Sequence, residues 1–518
     1  MRILYTSFFL LLSFFSFAQS DINLTGTIAS ETEPFLAVNP TNPDNIISAW
    51  MRISYPARIE TKTSFDGGIT WGNINYLPHF SNNIFIVSAD VSIAFNNSGT
   101  AFISYVDYKL NLDSGFVRVA KSTDGGISWT NPVNSIDALS HSDLPIDRPW
   151  IVCDQSNSAF GGRIYLVTKS YYAATPPHKI WLSISTDTAN TFFSLVQLDN
   201  PVAIGLLSNI MITPTVGADG AFYGAYMSWD TLQSPFARVI CTKSIDGGNT
   251  FTQSTIAYPI SGSAITDTLY QGSYSLSANP ANANNLVFQV TDARNGDPDI
   301  LTVNSMNGGQ TWSSIPGRVN DDAIGNGIGQ DMSWGAFSPN GVYAVAWRDR
   351  RNGLPNDTSN FEVYTSVSLD GGLSFRPNFC LSSSASPFIN IQRGNDFLGI
   401  GLSNTELFAN WSDNRNAALN KEDIYARTEN SNLLTSLNEI SSTNFLMTIY
   451  PNPNNGELSL KINIKSNLKI YNLSGNEIFS SEINFGVSKI KINLAEGIYF
   501  VELENAQGTF TEKMVILR

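Results

Sequence analysis

The chain has 518 residues, with 30 Lys and Arg against 44 Asp and Glu for a formal net charge of -14, and only 14% of it is charged while 12% is aromatic. That acidic balance excludes a phosphate-backbone partner, which needs a concentrated basic surface, so no nucleic acid is expected. The length exceeds the about 250–300 residues that one core organises, so several domains or a repetitive architecture are expected.

At the N-terminus, Arg2 precedes an apolar run from Phe8 to Phe17 broken only by Ser13 and Ser16, and Ser16-Phe17-Ala18 supplies the small residues of a cleavage site. Residues 1–18 therefore read as a signal peptide cut after Ala18. The run is too short for a permanent span, and no later segment reaches about 18–20 apolar residues, so no transmembrane segment is expected in the mature chain. Three cysteines (Cys153, Cys241, Cys380) and three histidines (His79, His141, His178) lie far apart. They offer neither a disulfide framework nor metal-ligand spacing, and no metal and no cofactor are expected.

The next 400 residues carry a repeat, Ser-x-Asp-x-Gly-x-x-Trp/Phe. It occurs at Ser64/Asp66/Trp71, Ser122/Asp124/Trp129, in degenerate form at Ser185/Asp187/Phe192, and then at Ser244/Asp246/Phe251, Ser305/Asn307/Trp312 and Ser368/Asp370/Phe375. The serines are 58, 63, 59, 61 and 63 residues apart. The Asp accepts turn amides, the glycines allow positive φ and the aromatic anchors the returning strand, so the motif is a structural hairpin turn without chemistry of its own. Two strand-like stretches and a third running into the turn precede each copy, and the strand after it completes a four-stranded antiparallel unit. A seventh unit (DFLGIGLSN, ELFANWSDN, DIYART) lacks the turn and stops near Thr428. The expected fold is all-β: a propeller of seven blades, or six with the last unit appended, whose final outer strand Asp21 to Ala29 can supply.

Such Asp-boxes on a blade-length period resemble the sialidase (BNR-repeat) superfamily over residues 30 to 428. The resemblance implies an arginine triad for a substrate carboxylate, an Asp acid/base and a Tyr nucleophile paired with a Glu, with the first arginine in an Arg-Ile-Pro motif. At that place this chain reads Glu33-Pro34-Phe35-Leu36, and the nearest similar text, Met51-Arg52-Ile53-Ser54, lacks the proline. The missing clamp argues against sialidase activity, because bidentate carboxylate recognition would be lost.

Asp-x-Arg-Asn closes the second strand in three consecutive units: Asp292/Arg294, Asp349/Arg351 and Asp413/Arg415, the last two preceded by Trp347 and Trp411. In a ring the three arginines can converge on an anion, or each can pair locally with its own Asp as scaffold. Asp143, Asp147 and Arg148 precede one unit's first strand, and Tyr270 and Tyr274 stand at another such entrance; these too are ligand-site candidates whose alternative is ordinary packing.

Residues 429–446 are Ser- and Asn-rich and read as a linker. Alternation resumes over 447–518, a small C-terminal β-sandwich with landmarks Tyr450-Pro451-Asn452-Pro453, Ile470-Tyr471-Asn472, Gly475, Gly497-Ile498-Tyr499-Phe500-Val501 and Lys513. They resemble the type A C-terminal sorting domain of the type IX secretion system; a carbohydrate-binding sandwich is the alternative. The resemblance implies a Gram-negative bacterium, recognition by that machinery at the outer membrane, and a secreted or cell-surface protein. Two functions follow from the sequence: a propeller spanning 19–428 that recognises an extracellular glycan or protein ligand, or a sialidase-related glycoside hydrolase.

Overall fold

Alternating and continuous apolar stretches of five to ten residues, separated by glycine-bearing turns, leave strands as the only regular element available to most of this chain. The computed structural model describes residues 20–55, 57–82, 85–137, 139, 144–145, 147–171, 174, 178–193, 195–199, 211–228, 238–256, 274–387, 397–416, 421–430, 447–462, 465–472, 475–484, 486–505 and 508–517, and these contain no helix. The chain divides into two compact units, Met1–Thr435 and Ser436–Arg518.

In the first unit the described residues form seven antiparallel sheets, each ordered from an inner to an outer strand. The first sheet runs Glu31–Val38, Ile46–Arg52, Arg58–Ser64 and Asn75–Tyr76. The inner strands of the next six are Ile86–Phe95, Asp147–Cys153, Ile212–Val216, Tyr274–Ala278, Gln330–Phe337 and Gly399–Leu402. Each inner strand touches the next in this order, and the seventh touches the first, so the sheets stand in a ring: the unit is a β-propeller. The last sheet takes its outer strand from the start of the chain, where Ile22 pairs with Ala426 and Asn23 with Tyr425. A free edge is thereby removed, and the two ends of the repeat are hydrogen-bonded together.

Both faces of every sheet are covered by neighbours, which is why the second strands are buried nearly throughout. Trp50, Trp347 and Trp411 are fully buried on these strands. Each donates its indole N–H to a carboxylate, Trp50 to Glu60 (3.2 Å), Trp347 to Asp349 (2.8 Å) and Trp411 to Asp413 (3.0 Å), so no polar group is stranded.

The repeated turn has one geometry. In the first copy Ser64 Oγ accepts the Gly68 N–H at 2.8 Å and donates to Asp66 Oδ1, which also accepts the Thr70 N–H. Asp124, Asp246 and Asp370 repeat these bonds with Ser128, Thr250 and Ser374. At Asp187, the bonds from Thr191 hold the carboxyl at about 2, below the usual range.

The fifth turn shows how an Asn serves where the other turns have Asp. There Asn307 Oδ1 accepts from Ser305 Oγ (3.0 Å) and from the Thr311 N–H (2.9 Å), while its Nδ2 donates to Thr311 Oγ1 at 2.8 Å. In the Asp turns that hydroxyl is the donor and the carboxylate accepts, as Thr70 does to Asp66. Asn307 therefore keeps every contact by reversing one of them, and the position needs a short side chain with one fixed acceptor, not a charge. The third turn lacks the glycine pair, and there Thr188 and Ala189 take the left-handed conformation (φ 61° and 58°). One carbonyl in every turn is capped by the preceding sheet: Thr428 caps Gly67, Asn45 caps Gly125, Lys121 caps Thr188, Arg163 caps Gly247, Lys243 caps Gly308 and Asn285 caps Gly371.

The second unit packs a sheet of Met447–Tyr450, Glu457–Ile462 and Gly486–Lys491 with one of Glu477–Ile483, Ser466–Tyr471, Gly497–Asn505 and Gly508–Ile516. Ile449, Leu458, Leu460, Leu468, Val501 and Met514 are among its core residues. The Pro-Asn-Pro landmark has a mechanical reason. Asn452 donates to the Lys513 carbonyl (2.7 Å) and accepts the Val515 N–H (2.8 Å), while Asn454 bonds Val515 and Leu517 through its backbone, tying down the last strand.

Candidate functional site

Because the Ser-x-Asp turns join third to fourth strands, the connections entering each inner strand open on the opposite face. At that end, four inner strands carry the same β-bulge, with register shifts between Thr32 and Phe35, Ala89 and Ser92, Asp147 and Trp150, and Asp331 and Trp334. The extra residue is left-handed in each: Glu33 (φ 52°), Asp90 (55°), Arg148 (53°) and Met332 (51°). A non-glycine residue there costs roughly 1 kcal/mol, and bulges re-aim side chains at functional rims.

Three of these side chains meet. Arg148 of the third sheet places Nη1 3.5 Å from Asp90 Oδ1 of the second and 3.7 Å from Glu33 Oε1 of the first. Its guanidinium lies 4.3 Å from the ring centroid of Phe397, just ahead of the seventh inner strand, so Arg148 reaches across the axis. The two carboxylates flank one guanidinium nitrogen, so their oxygens stand no more than about 7 Å apart, below the upper end of the about 5–9.5 Å range of glycosidase carboxyl pairs. Asp147 pairs with Lys169 at 2.8 Å, and at the same register in the sixth sheet Asp331 pairs with Arg348 (2.6 Å) and Arg350 (3.0 Å). Burial pushes the Asp147 carboxyl up, but Lys169 and Arg148 more than offset it and the net direction is down; Asp331 is held down in the same way by Arg348 and Arg350. Asp147 and Asp331 are thus ionised around neutral pH.

Beneath it an aromatic plug closes the axis. Phe35, Trp150, Trp334 and Phe397 come from four sheets, with centroids 4.8 Å apart for Phe35–Trp150 and 5.1 Å for Trp150–Phe397. On the turn side of the plug runs a channel of about 340 Å³. Along it, hydroxyls of one inner strand accept N–H groups of the next: Ser92 from Ile151, Thr213 from Leu276 and Thr215 from Ala278.

The structure does not bring the three arginines of the Asp-x-Arg-Asn motif together. Arg294 binds both oxygens of Asp292 (2.8 and 2.7 Å). Arg351 bonds Asp349 (2.8 Å), Asp321 and Asn378 and lies over Tyr364 of its own third strand. Arg415 bonds Asp413 (2.6 Å), Asp21 (2.8 Å) and Ser383 and lies over Tyr425. Arg351 and Arg415 are thus drawn toward the outer strands of their own sheets, so the local, scaffold reading of the motif describes the geometry. Tyr274 is likewise a core residue, fully buried, with its hydroxyl donating to the Met211 carbonyl and burial raising its pKa. Asp143 and Tyr270 lie outside the described residues. Of the sequence candidates, Asp147 and Arg148 stand in the cluster.

Sequence reasoning missed Glu33, Asp90, Lys169, Asp331, Arg348, Arg350 and Phe397. A signal was present: Glu-Pro-Phe, Asp-Val-Ser, Arg-Pro-Trp and Met-Ser-Trp align once the strand-two registers are known. One other constellation, Ser88, His79 and Asp107, is not a nucleophilic triad. Ser88 Oγ (3.0 Å) and Asp107 Oδ1 (2.8 Å) both approach His79 Nδ1, whereas a relay needs them on opposite ring nitrogens.

No curated protein matches the chain in sequence. Among solved structures it is similar to a protein of unknown function from Dyadobacter fermentans (14% identity, 67% of this chain and 97% of that one, TM-score 0.44). It is similar also to an α-L-arabinofuranosidase from Fusarium graminearum (15%, 68% and 97%, 0.42) and to the NanB sialidase from Streptococcus pneumoniae (12%, 79% and 69%, 0.41). Among the described residues no helix is long and apolar enough to cross a membrane. Residues 448–517 match the family described as the secretion system C-terminal sorting domain, the mark of type IX handling, and the chain is accordingly one that is secreted or placed at the outer cell surface.

Proposed function

We propose that the chain is an extracellular glycan-binding protein whose ligand site is the axial cluster around Arg148. In this reading residues 1–18 are a cleavable signal peptide, 19–428 a sialidase-like Asp-box propeller, 429–446 a linker and 447–518 the sorting domain that the type IX machinery recognises. The observation that carries the reading is the meeting of Arg148, Glu33 and Asp90 on equivalent bulges of three adjacent sheets. Carboxylates accept and a guanidinium donates, which suits a hydroxyl-rich ligand seated over an aromatic plug. With no arginine in Glu33-Pro34-Phe35-Leu36, where the sialidase resemblance would put the first of its clamp, a neutral glycan suits the site better than an anionic sugar.

The test is a glycan array probed with the full secreted chain. Binding without release of sugar, weakened at least tenfold by Arg148→Lys at unchanged melting temperature, is the expected result; an array with no bound glycan would overturn it. A second reading, glycoside hydrolase, is favoured by the meeting of two carboxylates, Glu33 and Asp90, at one arginine. Robust release of sugar, abolished by Glu33→Gln or by Asp90→Asn alone, would replace the first reading with this one.

A further inference from the structure

The six repeated turns share one backbone, so differences among their side chains stand out against an internal control. Two positions face outward at the rim: the residue after the serine, and the one after the Gly pair. They are Phe65 and Ile69 in the first turn, Thr123 and Ile127 in the second, Thr186 and Asn190 in the third, Ile245 and Asn249 in the fourth, Met306 and Gln310 in the fifth, and Leu369 and Leu373 in the sixth. Only where the first turn meets the second does an aromatic face an aliphatic across the junction.

There a cleft of about 480 Å³ opens, floored by Phe65, Trp71 and Ile127 and edged by Thr70, Asn73 and Asn75. Such a volume lies within the ordinary range for ligand pockets, about 300–1,000 Å³. Phe65 is 48% and Ile127 59% exposed, so two large apolar side chains are left in water side by side. The floor is held in place. The Phe65 ring lies against the second turn, where a Cβ on Gly125 would stand 2.8 Å from a ring carbon, and Trp71 is fixed by its indole N–H on the Gly68 carbonyl at 3.1 Å.

The edge is polar. Asn75 Nδ2 donates to the Ile127 carbonyl at 3.0 Å, which fixes its amide. Among the described residues neither Asn75 Oδ1 nor the exposed side chain of Asn73 has a hydrogen-bond partner. No other turn places an amide at the Asn75 position: by strand register its equivalents are Val133, Val196, Ser254, Gly317 and Phe379.

We propose that this cleft is a second carbohydrate site, taking one neutral hexopyranose unit. A pyranose has a C–H face and a rim of hydroxyls, and the cleft offers an aromatic and aliphatic floor beside two amides, each able to donate and accept. Asp66 is the one charged side chain lining it, and its carboxylate disfavours uronic and sialic acids. The site is on the turn face, on different residues from the axial cluster, and stands or falls independently of it. Together the two would let one protein hold a glycan at two points.

The experiment is saturation-transfer NMR and calorimetry on the full secreted chain with the methyl glycosides of glucose, galactose and mannose, and methyl glucuronide as the charged control. Measured in the Arg148→Lys background, which removes the axial site, at least one neutral glycoside binds; there Phe65→Ala and Asn73→Ala each weaken it tenfold or more, and the glucuronide binds at least tenfold more weakly. Asn73 is exposed, so its variant remains informative should Phe65→Ala fail to fold. Absence of binding by all three neutral glycosides, binding indifferent to Asn73→Ala, or equal binding of the glucuronide overturns the proposal.

Discussion

Thr428 Oγ1 donates a 2.8 Å hydrogen bond to the carbonyl of Gly67, joining the last strand of the ring to its first turn. Five other turns are capped at the same carbonyl by the sheet before them, but this cap alone joins the two ends of the repeat. The start of the chain reinforces it: Leu24 N–H bonds the Ile424 carbonyl at 2.7 Å, and Thr25 Oγ1 bonds Asp423 at 3.1 Å. Closure is therefore made of hydrogen bonds between residues some 400 apart in sequence, the most entropically demanding contacts in the ring.

Thr428→Val keeps the shape and removes the donor, leaving a buried carbonyl unmet. A loss of about 1–2 kcal/mol is expected, read as a lower denaturation midpoint. Gly68→Ala should be worse, above about 2 kcal/mol, because φ is +83° and the new Cβ would stand 2.4 Å from Thr428 Oγ1. Equal midpoints for Thr428→Val and the native chain would show that strand pairing alone holds the ring.

The third turn predicts a gain. Thr188 sits at φ 61° where the other turns have glycine, and it is exposed. Thr188→Gly relieves left-handed strain of roughly 1 kcal/mol, offset in part by the greater freedom of glycine in the unfolded chain. A rise of a few tenths to about 1 kcal/mol is expected in chemical denaturation; a fall would mean the turn is not strained there.

Much of the ring could be read from the chain because its cause is local. A Ser-x-Asp turn needs eight residues, and six copies at a steady interval announce the sheets they close, even where Asn307 replaces the Asp. The outer strand lent by Ile22–Asn23 was legible for the same reason, since the seventh unit stopped one strand short. The axial cluster was not, because Glu33, Asp90 and Arg148 lie in three units and are united only by bulges whose register sequence periodicity does not reveal. The Asp-x-Arg-Asn motif left two readings open, convergence on an anion or local pairing, and the geometry agrees with the second. It recurs conspicuously, but recurrence marked a contact each sheet makes within itself, as Arg294 does with Asp292.

Glu31, fully buried at the start of the first inner strand, has its pKa raised to about 7, chiefly by burial and also by the nearby Glu60, against a hydrogen bond from Thr27. The folded state therefore holds this proton more tightly than the unfolded chain, whose carboxyl titrates near the ordinary value of about 4.3. The stabilisation is complete below that value and is lost as pH rises through about 7. Glu31→Gln should flatten the dependence and stabilise the protein at pH 8 by on the order of 1–2 kcal/mol, checked by melting curves at pH 5 and 8. Asp147 and Asp331, held low, act with the opposite sign, losing their contribution only as pH falls below the ordinary Asp range of about 3.9. An unchanged pH profile in Glu31→Gln would show that Glu31 is not the group responsible.

Arg294, Arg351 and Arg415 separate scaffold from site. Each sits on its own Asp, and the three differ in what else they hold. Arg294 grips both oxygens of Asp292; Arg351 adds Asp321 and Asn378; Arg415 adds Asp21 and Ser383, and so links the outer strand at the start of the chain to the last sheet. Replacement by Ala leaves a buried Asp without its cation in every case, at a cost of about 1–3 kcal/mol. Arg415→Ala should be the most damaging, because Asp21 then loses its cation as well, keeping only Ser383, and the outer strand loosens, seen as faster amide exchange at Ile22 and Asn23. None of the three should change the affinity for a ligand bound at Arg148. An arginine whose removal abolished binding at an unaltered melting temperature would return the motif to the ligand site.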